Sequence, residues 1–554
     1  MTVGNSARAL CWGSAFAIAA AGSLLALPAG AARAATVHPA ASPTAAAAAV
    51  HQAAQSPSGI VRIAGADRID TAVRTSAAFW VRSGDAVLAS ASDFPDALAA
   101  AALAAALDAP LLLTPPDSLP AAVAQELDRL SAARITVAGG PKAIHDKVLD
   151  QLRALPTAPA VRRLSGATRY ETAAAIARRI GPADRVVIAS GVTFADALAA
   201  GNLAGSSPIV LTAPDALTPA AADALAALAP SEVVIVGGRA AVAAQVEAEL
   251  RQHAPTVRRL AGAHRFETAA VAAAFRLSMD PPVQRAVVAT GEQFPDGLAA
   301  GALAAHLDAI VVLSPQRRIT DETDALLREH ADGLIGAVLK GGSAALGNHV
   351  EAEISAALNG EPRPGFEGSV GPLPQDVRDE MTGVSWRAGC PIGLDELTLI
   401  ELLHWDFEGQ VREGRLVVAN RVAEDILGVF ASLFDAGFPL HRVRLVDDYD
   451  GDDDRSMAAN NTHAFNCRYV AGTSRWSEHA FGTAIDINPV QNPYVAAGSA
   501  QPPAGAEYLN RADVRPGMIV RPGSVLDAFS EIGWGWGGDW SSTKDYQHFS
   551  ESGR

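Results

Sequence analysis

The chain has 554 residues, a formal net charge of −16 and a hydrophobic fraction of 49%, with only 5% aromatic residues. A chain of this length is too long for one hydrophobic core, so several globular domains are expected. The acidic balance argues against nucleic acid as a partner, because phosphate binding needs concentrated lysine and arginine.

The first 34 residues have the pattern of an export signal. Arg8 precedes an apolar run at residues 9–28, and short A-x-A-type cleavage sequences follow at residues 29–31 and 32–34. A membrane anchor is the alternative, since the run is nearly long enough to cross a bilayer. Pro28 and the cleavage sequences favour removal of the segment. We therefore expect a secreted protein with no membrane segment after cleavage, and a linker at residues 35–57.

Three copies of one unit follow, at residues 58–157, 158–254 and 255–358. Each copy has the form R-x-x-G-x-x-R-x-x-T-A, then F-x-D-x-L-A, then a Gly-Gly pair. The first motif occurs as RIAGADRIDTA at residues 62–72, RLSGATRYETA at 163–173 and RLAGAHRFETA at 259–269. The second occurs as SDFPDALAA at 92–100, VTFADALAA at 192–200 and EQFPDGLAA at 292–300. The third occurs as VAGG at 137–140, IVGG at 235–238 and LKGG at 339–342.

The pattern inside each copy alternates between strands and helices. In the second copy RVVIAS, SPIVLT and EVVIVGG predict buried strands, whereas FADALAAGNLAG and TPAAADALAAL predict helices. Continuous apolar strands separated by helices predict a parallel sheet that is covered on both faces. The three copies are therefore expected to have an α/β fold.

Charged residues recur at equivalent positions of the three copies. They are Asp96, Asp196 and Asp296 at the predicted helix starts, and Arg68, Arg169 and Arg265 after a glycine turn. An acid in the first turn of a helix interacts favourably with the helix dipole, which makes a structural role sufficient. Strand ends of such folds also bind ligands, so both interpretations stay open. We expect no nucleotide site, since no copy contains a Walker or G-x-G-x-x-G motif.

The triplication of these motifs in this order resembles the type 2 cell-wall-binding repeat of Gram-positive surface proteins, over residues 59–358. The resemblance implies non-covalent retention on the cell wall by binding of an anionic wall polymer. It does not identify the side chains that contact the polymer.

The composition changes at residues 359–380, which are rich in glycine and proline and are interpreted as a linker. A separate domain is expected at residues 381–554, because six of the eight tryptophans lie there, all except Trp12 and Trp80. Cys390 and Cys467 also lie there, and two cysteines in an oxidising compartment commonly form a disulfide. Two buried free thiols are the alternative.

The segment SRWSEHAFGTAIDINP, residues 474–489, contains His479 and Asp486 seven positions apart. The alternation in TAIDIN points Ile485 and Ile487 to a core face and Asp486 the other way. The odd spacing would place His479 and Asp486 on opposite faces of one straight strand. Gly482 lies between them and allows a bend, so that both side chains can converge.

A second segment, KDYQHFS, adds Asp545 and His548. Two histidines and a carboxylate, with a fourth position left for water, have the composition of a catalytic zinc site. Asp545 is not needed as a ligand, which leaves it free to act as a base on that water. A histidine–aspartate pair at this spacing is often incidental, so the residues alone leave metal binding open.

The motif S-x-H-x-x-G-x-A-x-D followed by D-x-x-H resembles the zinc peptidases that include D-alanyl-D-alanine carboxypeptidases and L-alanyl-D-glutamate peptidases. The resemblance covers nearly the whole domain and implies an α+β zinc peptidase. It implies that His479, Asp486 and His548 hold Zn2+ and that Asp545 is the catalytic acid and base.

The same resemblance implies an arginine that stabilises the developing oxyanion. Arg468 in FNCR is the candidate, and Arg455 is its rival. Ser550 stands where many relatives have an acid after HF. The acidic loop DDYDGDDD at residues 447–454 is expected to be a solvated turn, because its glycine comes too early for a calcium-binding EF-hand loop.

These observations predict a secreted, cell-wall-associated zinc peptidase that cuts the peptide stems of peptidoglycan. The sequence leaves open whether the bond cut is D-Ala–D-Ala, L-Ala–D-Glu or one in a cross-bridge. The alternative is a wall-binding surface protein whose peptidase-like domain is inactive and only recognises peptide. Retention of all three predicted ligands and of Asp545 argues against that alternative.

Overall fold

The computed structural model describes residues 59–194, 196–205, 207–279 and 282–554, together with the backbone of a short strand, Ala35–Thr36. The predicted export signal and the rest of the predicted linker at 35–57 lie outside the described residues, as does the side chain of Asp296. Within the described ranges, no helix combines the length and apolar character needed to span a bilayer.

Each repeat alternates strands with helices, and every strand pairing among the repeats is parallel. The strands are Ile60–Ile63, Asp85–Ser90, Leu111–Thr114, Arg134–Ala138, Ala160–Leu164, Arg185–Ser190, Ile209–Thr212, Glu232–Val236, Thr256–Leu260, Arg285–Thr290, Ala309–Ser314 and Gly336–Lys340. The helices are Arg68–Phe79, Pro95–Ala106, Ala121–Leu130, Asp146–Arg153, Arg169–Ile180, Ala197–Leu203 (3-10), Pro219–Leu228, Ala244–Leu250, Arg265–Leu277, Phe294–His306, Asp321–Glu329 and Asn348–Leu358. The parallel α/β fold predicted from the apolar runs is confirmed.

The first strand of each repeat completes the sheet of another repeat. The pairs are Ala160–Leu164 with Arg134–Ala138, Thr256–Leu260 with Glu232–Val236, and Ile60–Ile63 with Gly336–Lys340. Because the last pair joins the first repeat to the third, the exchange closes on itself. The three repeats therefore form an interlocked ring, and a strand from each one lies in the sheet of a neighbour.

The phenylalanine of the second motif lies where the three repeats meet. Phe94, Phe194 and Phe294 contact one another, with ring centroids 6.0, 6.2 and 5.8 Å apart. The backbones of Gly201 and Gly301 are also in close contact, since a Cβ added to Gly301 would be 2.9 Å from the Cα of Gly201. These contacts between repeats explain why the F-x-D-x-L-A segment recurs in each copy.

The arginine of the first motif connects its own repeat to a neighbour. Each guanidinium donates a hydrogen bond to the carbonyl that follows a strand of its own repeat: Arg68 to Ala91 at 3.0 Å, Arg169 to Gly191 at 2.7 Å and Arg265 to Gly291 at 2.6 Å. Each also contacts another repeat: Arg68 stacks over Phe294, Arg265 stacks over Phe194, and Arg169 lies 3.5 Å from the Asp93 carboxylate. These contacts favour a structural role for the three arginines over a role in ligand binding.

The acid of the second motif packs against the Gly-Gly turn. Gly139 has a φ of +114°, and a Cβ there would lie 2.7 Å from Oδ2 of Asp96. Asp196 accepts a hydrogen bond from the backbone N–H of Gly238 at 3.4 Å. Burial, with a contribution from the charge of Asp93, raises the pKa of Asp96 to about 6.

The C-terminal domain is α+β. Its strands are Gly368–Pro372, Leu397–Trp405, Val411–Ala419, Ala484–Asp486, Tyr494–Ala496, Ser499–Gln501, Gly535–Trp536, Lys544–Asp545 and His548–Ser550, and its pairings are antiparallel. Its α-helices are Gln375–Met381, Ala423–Asp435, Asp453–Ala458 and Ser524–Glu531. A core around Phe430, Phe529 and Phe549 packs these elements together.

The segment predicted to be a linker contributes to this domain. Gly368–Pro372 pairs with Leu397–Trp405, and the buried side chains of Leu373 and Val377 belong to a second cluster of the C-terminal domain. These apolar side chains account for regular structure in a sequence that is rich in glycine and proline.

We expect Phe94→Ala to lower the free energy of unfolding of the repeats by about 3 kcal/mol, because it removes a buried ring and leaves a cavity between repeats. Urea unfolding of the full chain measures this effect. Val81→Ala is the matched control, since Val81 is 73% exposed and its loss should cost less than about 0.5 kcal/mol. Equal stability of the two variants would contradict a central role for the rings.

The raised pKa of Asp96 predicts a pH dependence of stability. The protonated carboxyl is favoured in the fold, so its contribution is present at acid pH and is lost as the pH rises from about 4 to about 6. Wild-type protein should therefore lose stability relative to Asp96→Asn across this interval, as measured by denaturant unfolding at several pH values. A constant difference between the two proteins would show that this carboxyl does not titrate in the fold as described.

Candidate metal centre

Asp486 lies between two histidines on neighbouring segments. The strands Ala484–Asp486 and His548–Ser550 pair Asp486 with His548. On its other side Asp486 exchanges two backbone hydrogen bonds with His463, at 2.9 and 3.1 Å. Residues directly opposite each other in an antiparallel pair project to the same face. The register therefore places His463, Asp486 and His548 side by side.

His479 reaches this face through a bend. It lies in the 3-10 helix Glu478–Phe481, which ends at Gly482 with a φ of +67°. A Cβ at Gly482 would lie 2.6 Å from the backbone nitrogen of Ala419, so both the conformation and the space require glycine. The bend is where the sequence predicted it, and it brings His479 to Asp486.

The three predicted ligands converge. Oδ1 of Asp486 lies 3.0 Å from Nδ1 of His548 and 3.3 Å from Nε2 of His479, and the two nitrogens are 3.3 Å apart. Donors held 2.0–2.2 Å from a tetrahedral zinc ion are roughly 3.3–3.6 Å from one another. Two of the three separations fall in this range and the one between Asp486 and His548 is slightly shorter, so the triangle is close to the dimensions that a cation of this size needs. Its three side chains are buried.

The other ring nitrogen of each of these histidines faces a backbone carbonyl. Nδ1 of His479 lies 2.5 Å from the Ala464 oxygen, and Nε2 of His548 lies 3.2 Å from the Arg554 oxygen. Ser550 donates to the same Arg554 carbonyl at 3.0 Å, so it takes part in this support. Hydrogen bonds of this kind orient a metal-binding imidazole and leave its second nitrogen for the ion. The donor set fits a metal ion in this respect as well.

The charges of the site attract a cation. Burial opposes ionisation of Asp486, but the charges and hydrogen bonds of His479 and His548 hold its pKa well below the usual range. Burial likewise opposes a charge on His548, yet the neighbouring carboxylates of Asp486 and Asp545 raise its pKa to about 9. Burial lowers the pKa of His479, which leaves that imidazole neutral for a metal ion, whereas a metal ion must displace the proton from His548.

Asp545 lies beside the triangle, in the strand Lys544–Asp545. Its Oδ1 is buried and has no hydrogen-bond partner within the described part of the chain. Burial and the negative charge of Asp486 raise the pKa of Asp545 to about 7. A carboxyl group with a pKa near neutrality can both accept and donate a proton under ordinary conditions.

The two candidate arginines occupy different environments. Arg468 forms an ion pair with Asp453, whose Oδ1 is 3.2 Å from Nε2 of His463. Arg455 is 57% exposed and pairs with the exposed Asp450. Only Arg468 of the two is therefore connected to the histidines of the site.

The expectation of a solvated acidic turn at residues 447–454 is wrong for two of its acids. Asp447 is largely buried and accepts a hydrogen bond from the backbone N–H of Ser385 at 3.1 Å. Asp453 points inward: burial opposes its charge, but the hydrogen bond from His463 and the charge of Arg468 hold its pKa well below the usual range. Nothing in a run of six acids distinguishes the member that points inward, and His463 belongs to no motif. Neither Asp453 nor His463 could therefore be identified from the sequence.

Cys390 and Cys467 form a disulfide bond, the pairing favoured by the sequence, with Cα atoms 6.0 Å apart. The backbone N–H of Cys467 also donates to the Ser385 carbonyl at 2.9 Å. Arg468 follows Cys467 directly, so the disulfide fixes the backbone from which the Arg468 side chain extends.

Comparison with known families agrees with this organisation. Residues 471–551 match the family described as D-alanyl-D-alanine carboxypeptidase, a range that includes His479, Asp486, Asp545 and His548. Residues 62–149, 163–247 and 259–351 each match cell wall binding domain 2. The chain thus contains three cell-wall-binding repeats followed by a segment of a carboxypeptidase family.

Individual proteins are similar to part of the chain. N-acetylmuramoyl-L-alanine amidase LytC from Bacillus subtilis (strain 168) is 29% identical over 258 residues, which cover 46% of this chain and 50% of the amidase. The amidase enhancer of the same organism is 29% identical over 273 residues, 49% of this chain and 37% of the enhancer. The chain thus spans half or less of the length of these relatives. The solved structure of Cwp6 from Clostridium difficile covers 55% of this chain, and the match covers 49% of Cwp6, with 25% identity and a TM-score of 0.51.

Proposed function

Because three cell-wall-binding repeats precede a segment of a D-alanyl-D-alanine carboxypeptidase family, we propose that this protein is a secreted, cell-wall-associated zinc peptidase that hydrolyses the peptide stems of peptidoglycan. The observation that supports the proposal most directly is the convergence of His479, Asp486 and His548, with Asp545 close enough to interact with the charges of Asp486 and His548. The repeats at residues 58–157, 158–254 and 255–358 would retain the enzyme on an anionic wall polymer.

Zn2+ is the ion that this donor set suits best, since two imidazoles and one carboxylate are a common zinc ligand set. Nε2 of His479, Nδ1 of His548 and a carboxylate oxygen of Asp486 would hold it. The bound ion would polarise the scissile carbonyl and lower the pKa of a water molecule.

The remaining chemistry belongs to side chains of this chain. Asp545 accepts a proton from the attacking water and delivers it to the amine nitrogen that leaves, and its pKa of about 7 is suited to both transfers. The guanidinium of Arg468 stabilises the negative charge that develops on the carbonyl oxygen. Asp453, paired with Arg468, holds that guanidinium in place.

The repeats would act by holding the C-terminal domain at the cell wall. Attachment to the wall keeps the C-terminal domain at a high effective concentration of its substrate without any contact to the scissile bond. Loss of the repeats should therefore lower activity on intact walls more than activity on short soluble muropeptides.

The experiment that tests the proposal uses the full chain and defined muropeptides that contain both D-Ala–D-Ala and L-Ala–D-Glu bonds. Mass spectrometry of the products is compared before chelation, after chelation and after Zn2+ is restored. We expect cleavage that disappears with the chelator and returns with the metal. Metal-loaded protein that sediments with walls but releases no product would instead support the inactive, wall-binding alternative.

We expect Asp545→Asn to lower kcat by about 100- to 10,000-fold, because it removes the group that transfers the proton while it retains the shape of the side chain. Product release from muropeptides measures the loss. Asp539→Asn is the matched control, since Asp539 is 56% exposed and lies in the same part of the domain. Retained activity in Asp545→Asn would exclude Asp545 as the acid and base.

We expect Arg468→Ala to lower kcat by about 100- to 1,000-fold, the usual cost of removing one donor to an oxyanion. Arg455→Ala should leave kcat unchanged, because its side chain projects from the surface of the same domain. The reverse result, with the larger loss in Arg455→Ala, would assign the oxyanion role to Arg455.

A further inference from the structure

His463 is a further histidine next to the predicted ligands. It is completely buried, and its backbone is hydrogen-bonded to Asp486. A ring nitrogen of His463, a ring nitrogen of His479 and a carboxylate oxygen of Asp486 all lie within 4.8 Å of one another. The imidazole of His463 also stacks on that of His479, with centroids 5.4 Å apart and an angle of 19° between the rings.

His463 has an acceptor beside one of its ring nitrogens, as His479 and His548 do. Each of those two histidines turns one nitrogen towards a backbone oxygen and the other towards Asp486. Nε2 of His463 lies 3.2 Å from an oxygen of Asp453. A histidine that binds a metal almost always has its second nitrogen next to such an acceptor, most often a carboxylate or a backbone carbonyl.

A role in packing alone does not account for His463. Buried polar atoms in proteins are nearly always hydrogen-bonded. Nε2 of His463 faces the Asp453 carboxylate at 3.2 Å, whereas its buried Nδ1 has no hydrogen-bond partner among the described residues. His404, a buried histidine of the same domain, lies 3.2 Å from the Trp405 carbonyl through its Nδ1. An imidazole with one unpartnered nitrogen beside two predicted ligands is explained if that nitrogen has a partner of its own at the centre.

We infer that His463 is a fourth protein donor to the metal centre and that Asp453 is the carboxylate that orients it. The centre would then offer three imidazoles and one carboxylate, a set that suits Zn2+ and the neighbouring divalent transition metals. The water of the proposed function would take a fifth position, which zinc can accommodate. The inference rests on the metal site of the proposed function, and it does not depend on which peptide bond is cut.

The decisive comparison uses His463→Phe, which keeps an aromatic ring in the stack but removes both nitrogens. Zn2+ affinity of the full chain is measured by competition with a chromophoric chelator, and the visible spectrum is recorded with Co2+ in place of Zn2+. We expect His463→Phe to weaken Zn2+ binding by at least about 10-fold and to change the Co2+ spectrum. His404→Phe is the matched control and should change neither.

Asp453→Asn tests the orienting carboxylate. We expect a smaller loss of Zn2+ affinity than in His463→Phe, while Asp454→Asn, an exposed neighbour in the same loop, should bind as wild type does. Wild-type affinity together with an unchanged Co2+ spectrum in His463→Phe would overturn the inference. Absence of metal binding by the wild-type chain would instead overturn the proposed function.

A measurement on wild-type protein covers the case in which His463→Phe does not fold. Each imidazole bound to Co2+ keeps one N–H whose proton resonance is strongly shifted by the paramagnetic ion. We expect three such exchangeable signals in the Co2+-loaded chain, one each from His463, His479 and His548. Two signals would show that His463 does not bind the metal.

Discussion

The register of the backbone around Asp486 is the constraint on which the candidate site depends. Asp486 is paired with His548 on one side and with His463 on the other, so three polar side chains share one face. The alternate residues Ile485 and Phe549 are buried in the core, and a shift of one residue would exchange the polar and the apolar face. The hydrophobic core that stabilises the domain therefore also fixes which side chains can meet a metal ion.

A second constraint shapes the N-terminal part of the protein. Each repeat supplies a strand to the sheet of another, and the exchange between Ile60–Ile63 and Gly336–Lys340 closes the ring. The motif residues lie at these junctions, as the stacking of Arg68 over Phe294 illustrates. The residues of the triplicated motif therefore join the repeats into the ring.

The features that could be predicted from the sequence are those that depend on residues close together in the chain. Apolar runs separated by helical segments predicted the parallel sheets, and Gly482 between His479 and Asp486 predicted the bend, because both signals are local. The strand exchange was not predicted, since a strand such as Ala160–Leu164 looks the same whichever sheet it joins. Asp453 and His463 were missed for a related reason: their importance comes from contacts with distant residues, and neither lies in a motif with a recognisable spacing.

The central claim is that the side chains of His479, Asp486 and His548 hold one metal ion through specific atoms. X-ray diffraction from crystals grown with Zn2+, recorded above and below the zinc absorption edge, tests it most directly. The account predicts one anomalous peak in the C-terminal domain, about 2.0–2.2 Å from Nε2 of His479, Nδ1 of His548 and an oxygen of Asp486. The absence of a peak there, or a peak bound to other side chains, would contradict it.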